Sequence, residues 1–131
     1  MLVDSRVWIS FVYKKDIHHD AAKAIVQWID AQAEYSIVIT NLILAEISNF
    51  LHRKSIAETG LNFVEAILNS EKIDLFYDSE QYLAGTIEIY KRIEQLGYVD
   101  SNIVLFYKLL KYKCLISFDS NYDGIKVPLT L

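Results

Sequence analysis

Short β-type runs alternate with longer helix-type runs along this chain, and this alternation restricts its fold more than any other feature. The β-type runs are residues 1–4, 36–40, 72–77, 114–118 and 125–129. Helices that connect successive strands favour parallel pairing, because the connection returns the chain to the same end of the sheet. We therefore predict an α/β fold, an α/β/α sandwich with a mainly parallel central sheet of four to five strands.

The helix-type runs carry their own start and stop signals. We expect Asn41 to cap the third helix, and Gly97 to close a long fifth helix in a left-handed conformation. Asp100 is the candidate cap of the last helix. The predicted helices are residues 5–13, 17–34, 41–54, 55–70, a stretch from Asp78 or Ser79 through Leu96, and 100–113.

The composition favours one folded unit. The chain has 131 residues with one Pro and four Gly, so no stretch has the composition of a linker, and we predict a single domain over residues 1–131. Its net charge of −4 argues weakly against a protein that coats nucleic acid, because phosphate affinity depends on Lys and Arg.

The sequence also favours a soluble cytoplasmic protein. The longest nearly uncharged stretch, residues 35–45, is far shorter than the roughly 20 residues of a membrane span. The first residues place apolar side chains before basic ones, which is the wrong order for a secretory signal. The single cysteine, Cys114, cannot form an internal disulfide and is expected to be a buried residue of a strand.

Acidic residues follow two of the predicted strands directly. Asp4 ends the first strand, and Asp119 follows the strand at 114–118. Ligands of open parallel sheets bind at the carboxyl ends of the strands. We therefore expect these two carboxylates to lie at the same edge of the sheet.

Two further carboxylates are expected near that edge. Glu46 lies about one and a half turns into the helix that leaves the strand at 36–40, among apolar neighbours. Asp100 begins the helix that leads into the strand at 114–118. Four gathered carboxylates repel one another unless a cation offsets their charge, and hard oxygen ligands favour Mg²⁺ or Mn²⁺. Such a site suits phosphodiester hydrolysis.

Each carboxylate also has a structural explanation. Asp100 is explained by helix capping and Asp119 by turn formation, which are the usual roles of Asp at such positions. Glu46 resists this explanation best, because it lies within a helix and no nearby residue in the sequence is an obvious partner. The functional interpretation depends on the convergence of the four, not on any one of them.

Four segments resemble the PIN-domain family in the family's order. LVDSRVWISFV is similar to the opening strand and acidic motif of PIN domains and contains Asp4 and Ser5. NLILAEISNFL is similar to the second acidic segment and contains Glu46. GYVDSNIVLFYKLLKYKCLISFDSNYDGI is similar to the third and fourth segments and contains Asp100 and Asp119.

The resemblance implies an activity and its partners. It implies a metal-dependent endoribonuclease that cleaves single-stranded or structured RNA, of the VapC-like kind that serves as the toxin of a type II toxin–antitoxin pair. Such proteins are usually homodimers that a small antitoxin inhibits. The implied catalytic and metal-binding residues are Asp4, Glu46, Asp100 and Asp119, with Mg²⁺ or Mn²⁺ as the cofactor.

Two positions depart from the family pattern. Arg6 stands where Asn or Ser is common, and Asn121 stands where many members have another Asp. The Arg6 guanidinium is suited either to pairing with a carboxylate or to contacting a substrate phosphate. Ser117 matches the family's small hydroxyl residue, which is suited to orienting a carboxylate or a water.

Two other functions compete with the nuclease. A catalytically degenerate PIN-like protein-interaction module would have Arg6 paired with a carboxylate and would bind no metal. A receiver domain of a signalling pathway would need paired acidic residues in the first loop, where this chain has only Asp4.

Overall fold

A computed structural model describes residues 1–54, 56–111 and 113–123, and four parallel strands form one sheet within them. The strands lie in the order β3-β2-β1-β4, and all three pairings are parallel. This arrangement, with helices flanking the sheet, confirms the predicted fold. The fifth strand predicted at 125–129 lies outside the described residues. The strands are β1 (Leu2–Val3), β2 (Ile37–Thr40), β3 (Ile73–Phe76) and β4 (Leu115–Ile116).

Six helices connect and cover these strands in the described part of the chain, together with two short 3₁₀ turns at Glu80–Tyr82 and Ser120–Tyr122. None of the helices in these residues is both long and apolar enough to cross a membrane. The helices are α1 (Ser5–Val12), α2 (His19–Asp30), α3 (Asn41–Arg53), α4 (Ala57–Asn69), α5 (Leu83–Arg92) and α6 (Tyr98–Leu109).

The core lies around the central strands. Every residue of β1, β2 and β4 is buried, which explains why these strands have continuous apolar sequences rather than alternating ones. The edge strand β3 is less buried, since Asp74 is exposed and its other three residues are partly buried. The fully buried residues from strands and helices include Leu2, Ile39, Ile43, Ile47, Ile103 and Leu115.

The predicted cap of α3 is wrong by one residue. Thr40 has an extended backbone, and its hydroxyl accepts a hydrogen bond from the Ile43 amide at 3.1 Å, so it is the N-cap. Asn41 is already helical, and its side chain accepts a bond from the Asp78 amide at 2.7 Å instead.

The long helix predicted through Leu96 is interrupted. It begins as the 3₁₀ turn, continues as α5 and ends at Arg92, where Ile93 turns to extended backbone. This turn lets Ile93 and Leu96 pack against the core, and Leu96 is only 3% exposed. Ser79 makes no capping bond, whereas the Asp78 side chain accepts a bond from Asn102.

The predicted roles of Gly97 and Asp100 at the next helix are also wrong. Gly97 has φ −78° and is the N-cap of α6, not a left-handed end of the preceding helix. Asp100 is the third residue of α6, and its carboxylate accepts a hydrogen bond from the Gly97 amide at 3.2 Å. This bond is the carboxylate half of a capping box, because Gly97 has no side chain to complete the motif, and it helps to fix the start of α6.

Candidate active site

Asp4 lies at the carboxyl end of β1 and is the most buried carboxylate of the site, with 2% exposure. It caps α1, since its Oδ1 accepts a hydrogen bond from the Ser5 amide at 2.7 Å. Its Oδ2 accepts a bond from the Ser117 hydroxyl, also at 2.7 Å. Both oxygens are therefore held in place by donors from separate parts of the chain.

Ser117 also connects Asp4 to Asp119. The Ser117 Oγ accepts a hydrogen bond from the Asp119 amide at 2.9 Å while it donates to Asp4. Asp119 caps the second 3₁₀ turn, where its side chain accepts a bond from the Asn121 amide at 2.8 Å. Ser117 thus orients a carboxylate, which is one of the two roles expected from the sequence.

Glu46 approaches Asp4 and Asp100 from the second turn of α3. It is partly buried, and burial raises the pKa of its carboxyl group. The charge of Asp100 raises this pKa further, and hydrogen bonding from the Ser5 side chain opposes the rise. Ser5 therefore interacts with Asp4 and with Glu46.

Asp100 is held by two donors at the start of α6. Besides the Gly97 amide on Oδ2, the Tyr122 phenol donates a hydrogen bond to Oδ1 at 2.9 Å. Tyr122 is fully buried, and burial raises the pKa of its phenol, followed by the charges of Asp4 and Asp100. The phenol therefore stays protonated and acts as a donor.

The electrostatics of Asp4 reflect this crowding. Burial raises the pKa of Asp4 from 3.8 to about 6, and the charges of Asp100 and Glu46 contribute, although the bonds from Ser117 and Ser5 oppose the shift. The structure therefore brings Asp4, Glu46 and Asp100 within electrostatic reach of one another. Asp119 joins them through Ser117 and through its effect on Tyr122.

Arg6 does not neutralise this cluster. Its side chain is exposed on α1, and the only ion pair in the described ranges joins Arg92 and Glu88 at 2.7 Å. Burial raises the pKa of Asp16, but hydrogen bonds and the nearby charge of Arg6 bring it below its usual value. The carboxylate pairing expected for a degenerate module is therefore absent from residues 1–54, 56–111 and 113–123.

A divalent cation fits the donor chemistry of this site. Its ligand atoms are carboxylate oxygens, and burial together with the charges of Asp100 and Glu46 raises the pKa of the most buried carboxyl group, that of Asp4, to about 6. As the side chains stand, no three His, Cys, Asp or Glu residues in that part of the chain form a group that could hold a metal ion.

One residue of the site was not expected from the sequence. The sequence pattern does not mark Tyr122 as a site residue, yet its hydroxyl donates a hydrogen bond to Asp100. Its position three residues after the turn-capping Asp119 was the only signal, because a turn that Asp119 caps carries residue 122 back toward the sheet edge. Asn121 contacts Asp119 through its backbone amide, and the residue itself is exposed.

The fold and this site together define a class: a parallel α/β/α sandwich with an acidic centre at the carboxyl edge of its sheet. The chain belongs to the PIN domain family, whose model matches residues 1–127. This match confirms the resemblance noted in the sequence. Among curated proteins, the chain is similar to a VapC ribonuclease of Archaeoglobus fulgidus, with 28% identity over 125 residues that cover 93% of this chain and 78% of the relative.

Solved structures of toxins share the fold. VapC20 of Mycobacterium tuberculosis, described as a toxin that cleaves the sarcin-ricin loop, superposes with a TM-score of 0.84, 16% identity and coverage of 97% of this chain and 95% of that one. VapBC2 of Rickettsia felis, bound to a promoter DNA fragment, superposes with a TM-score of 0.74 and 15% identity, and the match covers 98% of this chain and 96% of that one. A toxin–antitoxin complex of Klebsiella pneumoniae superposes with a TM-score of 0.70 and 14% identity, and the match covers 99% of this chain and 95% of that one.

Proposed function

We propose that this chain is a metal-dependent endoribonuclease that cleaves single-stranded or structured RNA. The observation that carries the proposal is the buried Asp4 carboxylate, whose pKa is raised to about 6 by burial and by the charges of Asp100 and Glu46. The carboxylates of this site repel one another, and within the described residues none of them is paired with a Lys or Arg. A bound cation would offset their charge.

Asp4, Glu46, Asp100 and Asp119 would hold Mg²⁺ or Mn²⁺. When bound, such an ion supplies positive charge for the scissile phosphate and lowers the pKa of a coordinated water. The protein's part is to fix its carboxylates. Donors from Ser5 and Ser117 orient Asp4, and the Tyr122 phenol orients Asp100.

The chain's own hydroxyl groups are poor candidates for a covalent nucleophile. The Ser117 hydroxyl is buried and donates to Asp4, and the Ser5 hydroxyl lies 3.4 Å from the same carboxylate. Neither pairs with a histidine base in the described residues, as an activated serine requires. The attacking group in this proposal is therefore water.

The biological role that we propose is that of the toxin in a type II toxin–antitoxin pair in the cytoplasm. The similarity to proteins named as VapC ribonuclease and as toxins supports this role. By the same analogy, the expected partners are a cognate antitoxin and a second copy of this chain. We propose that residues 1–131 form a single catalytic domain.

A cleavage assay on total cellular RNA tests the function. The protein is incubated with Mg²⁺, with Mn²⁺ or with chelator, beside Asp100→Asn and the control Asp30→Asn. Asp30 is exposed at the end of α2, so this control makes the same chemical change away from the site.

We expect discrete fragments from the unmodified protein and from Asp30→Asn with either metal, and none from Asp100→Asn or in chelator. Fragments that persist with Asp100→Asn would point to a contaminating nuclease. Intact RNA in every reaction, together with no metal binding by calorimetry, would overturn the proposal in favour of the interaction module.

A further inference from the structure

A polar groove of about 320 Å³ runs between α1 and α3 beside the acidic centre. We call it the α1–α3 groove. The residues that α3 contributes are spaced as one face of a helix, and they span eight positions or about 10 Å of its length. The groove is lined by Ser5, Arg6 and Ile9 of α1 and by Glu46, Asn49, Phe50 and Arg53 of α3.

Two guanidinium groups converge on this groove from different helices. Arg6 comes from the first turn of α1 and Arg53 from the last turn of α3, and both are exposed. Neither takes part in an ion pair within the described ranges, where only Arg92 and Glu88 are paired. In a chain with a net charge of −4, this pair of arginines is a local feature and not part of a general basic surface.

The groove is continuous with the acidic centre. Ser5 and Glu46 belong to both, since Ser5 interacts with Asp4 and with Glu46 while both residues line the groove. Arg53 lies two turns of α3 beyond Glu46. A strand whose phosphate reaches the carboxylates can therefore continue along the groove toward Arg53.

An aromatic wall accompanies the two cations. Phe50 lines the groove and packs edge to face with Tyr13, with the ring centres 5.8 Å apart. The Lys54 ammonium group lies 5.6 Å from the centre of the Phe50 ring. Phe50 is partly buried, so the groove combines an aromatic side chain with nearby cations, and this combination is found at sites that bind single-stranded nucleic acid.

We propose that the α1–α3 groove binds the RNA strand beside the cleaved phosphate, with Arg6 and Arg53 each contacting a backbone phosphate. The identity of the ligand rests on the proposed ribonuclease function. Arg6, which departs from the usual residue of the family pattern, then adds a substrate contact to the site, because a guanidinium group can donate two parallel hydrogen bonds to a phosphate.

The test measures binding separately from cleavage. A short fluorescein-labelled 2′-O-methyl oligoribonucleotide is titrated with protein in chelator over a series of KCl concentrations, and binding is followed by anisotropy. The variants are Arg6→Gln and Arg53→Gln. The matched control is Arg92→Gln, because Arg92 is exposed on α5 and is already paired with Glu88.

We expect the slope of log affinity against log salt to become shallower by about 0.7 for each of the two groove variants, the effect of one lost phosphate contact on a single strand. Arg92→Gln should keep the slope of the unmodified protein. Groove variants that bind with unchanged affinity and slope would overturn the proposal, as would an unmodified protein that fails to bind the oligonucleotide.

Cleavage of RNA in Mg²⁺ is measured on the same proteins, so the two proposals fail separately. If the unmodified protein cleaves RNA and the groove variants bind and cleave it equally well, the ribonuclease proposal holds and the proposal for the groove is refuted. If RNA binding depends on both arginines but no protein cleaves RNA, the groove binds RNA and the ribonuclease proposal is refuted. A polyglutamate peptide that binds through Arg6 and Arg53 while the oligonucleotide does not would make the groove a protein-binding site and refute the RNA assignment.

Discussion

Replacing Asp4 with Asn should stabilise the metal-free protein at neutral pH. The substitution removes the charge of a carboxyl group that is 2% exposed and keeps its shape. The Asn carbonyl can accept the bond from the Ser5 amide, and its amide group can donate to the Ser117 hydroxyl. The site therefore loses a repelling charge without losing its packing.

The size of the effect follows from the pKa of Asp4. Because the folded pKa of about 6 lies above the reference value of 3.8, the folded state binds this proton more tightly than the unfolded state does. The stability of the unmodified protein therefore falls as the pH rises between these values and stays low above them. The full loss is about 3 kcal/mol. Rearranged hydrogen bonds to Asn cost about 1 kcal/mol, which leaves a net gain of about 2 kcal/mol.

Urea unfolding followed by circular dichroism measures this gain. Both proteins are unfolded in chelator at a series of pH values from below 3.8 to above 6, the interval set by the two pKa values. The unmodified protein should lose stability across the interval relative to Asp4→Asn. Added Mg²⁺ should stabilise the unmodified protein more than the variant, because a ligand that binds only the folded state raises its stability.

Two results would refute this reasoning. One is a variant that is less stable than the unmodified protein in chelator at neutral pH. The other is a difference in stability between the two proteins that does not change with pH. Asp30→Asn, an exposed change on α2, should follow the unmodified protein throughout.

Three further substitutions separate the other contacts. Tyr122→Phe removes only the hydroxyl group that donates to Asp100, so Mg²⁺ should bind more weakly by calorimetry and the unfolding free energy should fall by about 1 kcal/mol. An unchanged Mg²⁺ affinity would contradict the positioning role. Ser117→Ala removes a donor to Asp4 and an acceptor for the Asp119 amide, so unfolding free energy should fall by about 1 to 3 kcal/mol and the pKa of Asp4, followed by NMR, should rise further. Thr40→Ala should cost about 1 kcal/mol or more in urea unfolding through loss of the α3 cap, and an unchanged unfolding free energy would contradict Thr40 as the cap.

The strand ends were predictable because they depend on local pattern and on chain direction. A short apolar run followed by Asp identified Asp4 at its place on β1, and parallel connections placed Asp119 at the same edge. The details of capping were not predictable in this way. Thr40 and Asn41 are both good caps, and the choice depends on which backbone is still extended when the chain leaves β2.

The errors around α5 and Tyr122 have a tertiary origin. The sequence from 83 to 96 continues a helical pattern, but burial of Leu96 against the core ends the helix at Arg92. The bond from Tyr122 to Asp100 joins residues 22 positions apart, and no periodicity marks it. Local propensity is overridden where long-range packing decides the backbone.

The bond between Ser117 and Asp4 joins residues 113 positions apart, and this separation affects when the acidic centre first forms during synthesis. A nascent chain carries Asp4 from its first residues, but its partner leaves the ribosome only after β4 has been made. The acidic centre therefore cannot assemble on a truncated or stalled product that lacks β4. Under the proposed function, a fragment released before that point would lack the complete catalytic site.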